Sequence, residues 1–311
     1  MLSVPPAFRL PEGLSIRYDA PDASLAEAIT GYHVYRARAA EERIDWFLPG
    51  TADIVVALDA PPIALSIRRR IYDPLPQMAL IGPTSQAMRA TTRGGTLIGI
   101  GLTALGWSRF FPRSASEYRD RVVPLAEAAT PGFAALLLDA LDATDRDGEV
   151  KPAIDRLLAR HLAPPHADAP QIRRLMDLIV DDAVDGLPAL AQALGLPPHA
   201  LRRLSARHFG FPPKLLLLRA RFLRSFVRMV LAGDVLDYAL IEATYYDVSH
   251  FLRDARTFLG TTPKRFMAQP TTFLEGSLHA RAATLGAAAQ VLHTIPQQPL
   301  GTQLDALAEA P

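Results

Sequence analysis

Cysteine is absent from all 311 residues, which excludes disulfides, thiolate catalysis and cysteine-ligated metal. Lysine is nearly absent too: Lys151, Lys214 and Lys264 are the only three among 33 basic residues. Arginine supplies the rest, which partly reflects genomic base composition, so arginine abundance alone is not a signal. No apolar run is long and uncharged enough to span a membrane. The N-terminus shows no charged start followed by an apolar core and cleavage site, so no secretory signal is read. With the missing cysteines, this predicts a cytoplasmic protein. Also missing are a Gly-x-x-x-x-Gly-Lys phosphate loop, a Gly-x-Ser-x-Gly nucleophile turn and a His-x-His pair. Catalysis, cofactor binding and metal ligation have no candidate constellation, and the chain is not read as an enzyme.

What is present is a large apolar fraction, 49%, in a chain long enough for two domains with separate cores. The net charge of +1 hides an asymmetry. From His199 to Met267 there are 12 Lys/Arg against 5 Asp/Glu, a net of +7, so the preceding chain is acidic on balance. A basic patch confined to one segment is the electrostatic footprint of a nucleic-acid-binding domain; a solvated basic face is the competing reading.

The pattern of signals changes along the chain and predicts an α+β protein. Residues 1–130 carry strand and turn signals: Asp53 to Leu58, Ala64 to Tyr72, Met78 to Pro83 and Thr96 to Leu102 read as strands of a small barrel or sandwich. Residues 131–170 read as a helical connector, a candidate for pairing two subunits, ending in the proline-rich stretch Ala163 to Pro170. Residues 171–270 read as an all-α domain. Residues 271–311 read as an alanine-rich extension, with one helix over Leu278 to His293 and a frayed end.

The all-α segment reads as two helix-turn-helix units joined by a long helix. In the first, Leu187, Leu190, Ala191 and Leu194 form an apolar stripe, Gly195 suits the turn, and Pro197-Pro198 open a basic helix. That helix buries Leu201 and Leu204 and presents His199, Arg202, Arg203 and Arg207. The joining helix, Pro213 to Leu231, carries a core stripe and an arginine stripe of Arg221, Arg224 and Arg228, read as solvated. In the second unit Asp247 is an N-cap, and Val248, Ser249, Leu252 and Arg253 would face a DNA groove. Arg256, Lys264 and Arg265 are placed for phosphates. An arginine on such a helix can contact guanine O6 and N7 together. Two units one helical turn of DNA apart can read two successive major-groove segments.

These residues resemble the AraC/XylS family of bacterial transcription regulators over about Leu175 to Met267. The carriers are Ala191…Gly195, Leu201-Arg202-Arg203-Leu204, Phe209 to Lys214, and Tyr245-Tyr246-Asp247…His250-Phe251…Arg253…Gly260-Thr261-Thr262-Pro263. The resemblance implies double-stranded DNA as partner, with RNA polymerase as a further one if the regulator is an activator. Three positions depart from the pattern: Thr244 where a small turn residue, commonly glycine, is usual, and Ser205 and Ala255 where an apolar, usually aromatic, residue is usual. Both kinds of change remove packing beneath the recognition helices. They keep open a second reading, a ligand-sensing adaptor with a degenerate DNA-binding domain that acts through protein contacts. More faintly, Leu48-Pro49-Gly50…Asp53-Ile54-Val55, Ile81-Gly82-Pro83 and Gly99 through Leu125 resemble the cupin-like sensor domains of part of that family. That implies an effector-sensing, dimer-forming domain.

A metal centre in such a barrel needs clustered ligands, and the only histidine there is His33, read as a surface or hydrogen-bonded residue. For the effector, alternation along Ala64 to Tyr72 puts Ser66, Arg68, Arg70 and Tyr72 on one face. That set suits a phosphate or carboxylate on a stackable group, hence an anionic, nucleotide-like effector; a solvated face before the Asp73-Pro74 turn is the competing reading. Trp46, Phe47 and Trp107 are alternative pocket residues.

Overall fold

In the computed structural model, which describes residues 8–10, 13–38, 42–144, 149–181, 184, 186–233 and 236–285, eleven described strands form two antiparallel sheets. One sheet runs β1 (Phe8–Arg9), β2 (Leu14–Asp19), β3 (Ile29–Ala37), β10 (Gly95–Leu102), β5 (Asp53–Leu58), β8 (Met78–Ile81) and β11 (Val122–Pro124). The other runs β4 (Arg43–Phe47), β9 (Met88–Thr92), β6 (Ala64–Ile67) and β7 (Arg70–Tyr72). Alternation in β10 decides what faces where. Ile98, Ile100 and Leu102 enter a core with α1 (Ala104–Phe110), α2 (Leu125–Ala128), α3 (Phe133–Asp142) and α4 (Val150–His161). Its Leu97, Gly99 and Gly101 point the other way, and a cavity lies on that side between the sheets.

The connector predicted over 131–170 therefore lies on the outer face of the larger sheet. Phe133, Leu137, Leu141, Ile154 and Leu158 bury their stripe there, while Leu136 stays exposed. The strand predicted over Ala64 to Tyr72 is instead a hairpin. Arg68 takes a left-handed backbone at φ 56°, and β6 turns back on β7 with Leu65 opposite Tyr72. The period-two pattern is real in each arm, but the turn resets the faces, which is why Ile71 is 74% exposed rather than core.

The helical part begins with α5 (Ala169–Val180). Then come α6 (Gly186–Leu194), α7 (Pro198–Phe209), α8 (Pro213–Ala232), α9 (Val248–Leu259), α10 (Pro263–Met267) and α11 (Thr272–Leu285). The first helix-turn-helix is complete: α6 ends on Gly195 at φ 62°, and Ile172, Leu175, Leu190, Leu201 and Leu204 share its core. The second differs from expectation. Among the described residues its leading helix is a single 3-10 turn, Tyr238–Leu240. Two arginines of α8 are turned inward: Arg224 makes a two-pronged pair with Glu242, and Arg221 donates to Asp254 at 3.0 Å. Arg228 stays exposed, 3.8 Å from the same Glu242 carboxylate. The solvated reading of the stripe is thus corrected at Arg221 and Arg224 by the carboxylates placed opposite them, and holds at Arg228. The alanine-rich helix starts earlier than expected, at Thr272, and residues 286–311 of the extension lie outside the described residues.

The two parts are locked together. The backbone of the barrel loop Gly82 to Ala87 meets α9 where Ala87 N–H donates to Phe258 O at 2.8 Å. Arg219, on α8, is 8% exposed and donates to the carbonyls of Gly50 at 3.1 Å and Thr84 at 2.9 Å. Leu274 and Leu278 of α11 join the helical core, while Phe273 and Ala280 pack on the barrel. Arg219→Ala should destabilise the protein by roughly 1–3 kcal/mol, since it leaves the buried Thr84 carbonyl unpaired while Gly50 O keeps the Thr84 N–H. Denaturant unfolding checks this; a loss below about 1 kcal/mol would show that water replaces the guanidinium without penalty.

Candidate functional site

Two surfaces and one cavity collect the chemistry-bearing residues. The first surface is α7. Pro197 precedes it as N-cap and Pro198 opens it, where a missing N–H has no intrahelical partner to lose. It closes on Gly210 at φ 82°, whose N–H bonds Ala206 O. His199, Arg202, Arg203 and Arg207 are all exposed on its outer face. Arg207 lies 3.4 Å from the His166 ring. Leu201, Leu204, Ser205 and His208 are buried. Ser205 replaces packing with polarity: its hydroxyl donates to Phe211 O at 2.6 Å, tying the helix to the turn that follows.

The second surface is α9. Asp247 accepts from His250 N–H at 2.7 Å, as an N-cap should, and Gly260 ends the helix at φ 77°. Val248, Ser249, Arg253 and Arg256 are exposed, and Leu252 is half-buried. Lys264 and Arg265 are exposed on α10. Beneath α9, Ala255 is fully buried, and the space is filled from α8: Phe222 stacks within 5.4–5.6 Å of Phe251, Phe226 and Phe258. Thr244 is not among the non-glycine residues with left-handed backbone, so no glycine is needed there. Both glycine caps touch the same barrel loop. A Cβ on Gly210 would stand 3.1 Å from Pro83, and one on Gly260 would stand 3.3 Å from Gln86.

The predicted effector quartet is not assembled on one face, because the hairpin separates it. Arg68 donates to Ser85 Oγ at 3.0 Å and Arg70 to Asp120 O at 2.9 Å. Tyr72 packs against the core around Leu65 and Ile67. Ser66 and Arg68 line a cleft of ≈ 490 Å³ with Arg89, Gln86 and Arg265, facing α10. Trp46 lines that cleft and Trp107 is core.

The cavity between the sheets, ≈ 150 Å³, takes in Phe47, one of the alternative pocket residues, but its polar wall is not read from the sequence. Its walls are largely apolar, with Phe47, Leu65, Leu97 and Phe273 among them, and α11 closes one side. Polar side chains line it too, with Tyr18, His33, Asp45, Asp53 and Arg281 among them. His33 is therefore not a surface residue. Gly99 opposite it leaves the imidazole room, since a Cβ there would lie 1.7 Å from Nε2. Burial, reinforced by Arg281, pushes His33 down to about 4. Burial raises Asp53 to about 6 against the opposing pull of Arg281. Arg281 is 6% exposed, its Nε has no hydrogen-bond partner, and its guanidinium stands 5.1 Å over the Tyr18 ring. A buried cation with an unpaired Nε thus shares the cavity with the Asp53 carboxylate. The signal that could have found this wall is the Gly-x-Gly spacing of Gly99 and Gly101 in a strand, where glycine marks a close approach.

No protein-family model and no curated protein matches the chain. Solved structures do. Wild-type ToxT from Vibrio cholerae strain SCE256 with unsaturated fatty acid bound aligns over 85% of this chain and 98% of its own, with 9% identity and a TM-score of 0.43. ToxT from Vibrio cholerae O395 aligns over 76% and 95%, with 12% identity and a TM-score of 0.42. The AraC-like transcriptional activator CuxR aligns over 62% and 80%, with 10% identity and a TM-score of 0.22.

Asp53 and His33 give stability opposite pH dependences. The raised Asp53 contributes stability that is complete below about pH 4 and lost as pH rises through about 6. The depressed His33 contributes stability that is complete above about pH 6.5 and lost as pH falls through about 4. Asp53→Asn should therefore leave a protein whose stability climbs more steeply from pH 4 to 6, by about 2–3 kcal/mol relative to the parent. Urea midpoints across that range decide it; parallel curves would mean the carboxyl is ionised at no cost.

Proposed function

We propose that this protein is a DNA-binding transcription regulator of the AraC/XylS type, controlled by a small acidic effector held in the barrel cavity. One observation carries the reading: α7 and α9, each ended by a left-handed glycine, present exposed arginines from opposite ends of α8. Twenty residues of α8 span roughly 30 Å at 1.5 Å per residue, close to one turn of DNA. Arg202, Arg203 and Arg253 are assigned to base edges; Arg256, Lys264 and Arg265 are assigned to phosphates.

For the effector, Arg281 supplies the anion partner and the apolar walls accept the rest. A cavity of this volume admits a molecule about the size of benzene, so a small aromatic or short-chain carboxylic acid fits better than a nucleotide. Binding would bear on Gly50 and Thr84, which line the cavity and hold Arg219 of α8. The effector acts only through unequal affinity for two arrangements of barrel and helices. Pairing of two copies and contact with RNA polymerase belong to the same reading.

Selection from a random DNA pool by the full chain, at two salt concentrations, tests it. A motif with two reading segments one helical turn apart is expected. Binding without enrichment that collapses as salt rises would instead favour the adaptor reading. Arg202→Ala should relax preference at one base position and cost about 1–3 kcal/mol there; an equal loss on all sequences would assign it to phosphate.

The cavity has its own test. Benzoate or hexanoate should raise the melting temperature of the parent protein, and Arg281→Met should abolish that rise. A rise of equal size in the variant would remove Arg281 from the site.

A further inference from the structure

Away from both surfaces and the cavity, three side chains converge where the proline-rich stretch meets α7. Asp168 Oδ2 lies 3.0 Å from His208 Nε2 and 3.6 Å from His166 Nδ1, and the three donor atoms all fall within 4.8 Å of one another. We propose that His166, Asp168 and His208 form a binding site for a divalent transition-metal ion of the zinc class. A tetrahedral zinc with bonds of about 2.0–2.1 Å keeps its donors roughly 3.3–3.4 Å apart, so two of the three spacings already match. Two imidazoles and one carboxylate form a donor set suited to such an ion, with water completing the shell.

A metal must displace the hydrogen bonds that these donors now make: His208 Nε2 donates to Asp168 Oδ2 at 3.0 Å, and its proton leaves or moves to the unpartnered Nδ1 when metal binds. His166 Nδ1 accepts the backbone N–H of Asp168 at 3.0 Å, so that nitrogen carries a lone pair and not a proton. The His208 ring is held in the packed face of α7, with its side chain 2% exposed. Its plane lies 65° from that of His166 at 5.1 Å. Asp168 is the N-cap residue of α5, so its backbone is fixed by that helix, and its carboxylate, 40% exposed, leaves a side open to water.

A metal held by Asp168 and His208 fastens the start of α5 to α7. The site itself does not depend on the regulator reading, because its three ligands are neither base-facing nor cavity-facing.

The test uses the full chain, stripped with a chelator and titrated with Co²⁺ alone. One equivalent should bind with the visible absorption of a low-coordinate cobalt centre, and Zn²⁺ should displace it. His166→Gln and Asp168→Asn should each weaken Co²⁺ by about a hundredfold or more, beyond the 10–100-fold typical of losing an outer-shell partner. His279→Gln, at an exposed histidine of α11, should change nothing. His208 is core, so its replacement tests folding as well; the half-buried His166 carries the decision, with circular dichroism confirming the fold. Absence of the cobalt band, or an unchanged band in folded His166→Gln, would overturn the proposal.

Discussion

The contact on which the arrangement of the molecule turns is the burial of one guanidinium. Arg219 sits inside, pushed down to about 10 by burial yet still charged at neutral pH. A charge removed from water is costly unless its donors are met. They are met by Gly50 O and Thr84 O from two barrel loops, and the face of Phe211 lies 5.5 Å from the cation. The loops in turn are fixed to each other: Gly50 N–H donates to Thr84 Oγ1, and Ser85 donates through N–H and Oγ to the buried Asp120. A long helix that joins the two helix-turn-helix segments is thereby anchored to the rim of a cavity.

The same rim explains why the barrel and the helices behave as one packed body and not as beads on a linker. The loop that supplies Thr84 also touches the glycine caps of both α7 and α9, through Pro83 at Gly210 and Gln86 at Gly260. On the opposite side, α11 lends Leu274 and Leu278 to the helical core and Phe273 and Arg281 to the cavity. A molecule that presses on the cavity wall therefore meets elements that also set the pose of α7 and α9. Packed interiors transmit displacement because they hold few voids to absorb it. This is a physical route, and coupling along it becomes a fact only when effector binding and DNA binding are measured against each other.

How far the sequence reaches depends on how local each determinant is. The first helix-turn-helix was legible because its signals lie within a few residues: a 3.6-period stripe, Gly195, and the Pro197-Pro198 start. So was the cap logic of α9, from Asp247 to Gly260. The outward placement of Arg202, Arg203 and Arg253 followed from the same periodicity. What failed was non-local or hung on a single backbone angle. Arg68 at φ 56° turned one predicted strand into two, and the effector face dissolved with it. Arg281 and His33 are 248 positions apart and meet only because α11 folds back over the barrel. His166 and His208 likewise meet only because the linker crosses α7.

The departures from the family pattern look different once the packing is visible. A small residue under a recognition helix loosens it only if nothing else fills the space. At Ala255 the filling comes from α8, whose Phe222 and Phe226 stack where a larger residue would otherwise stand. At Ser205 the hydroxyl bonds the backbone of Phe211, trading dispersion for a directional tie. The second unit, reduced to a 3-10 turn where a helix is expected, is braced by Arg224 with Glu242 and by Arg221 with Asp254, and Asp254 also takes the Tyr245 hydroxyl at 2.9 Å. These pairs are mostly shielded from solvent, so salt screens them less than a surface pair. The substitutions are thus matched by compensations elsewhere in the same chain.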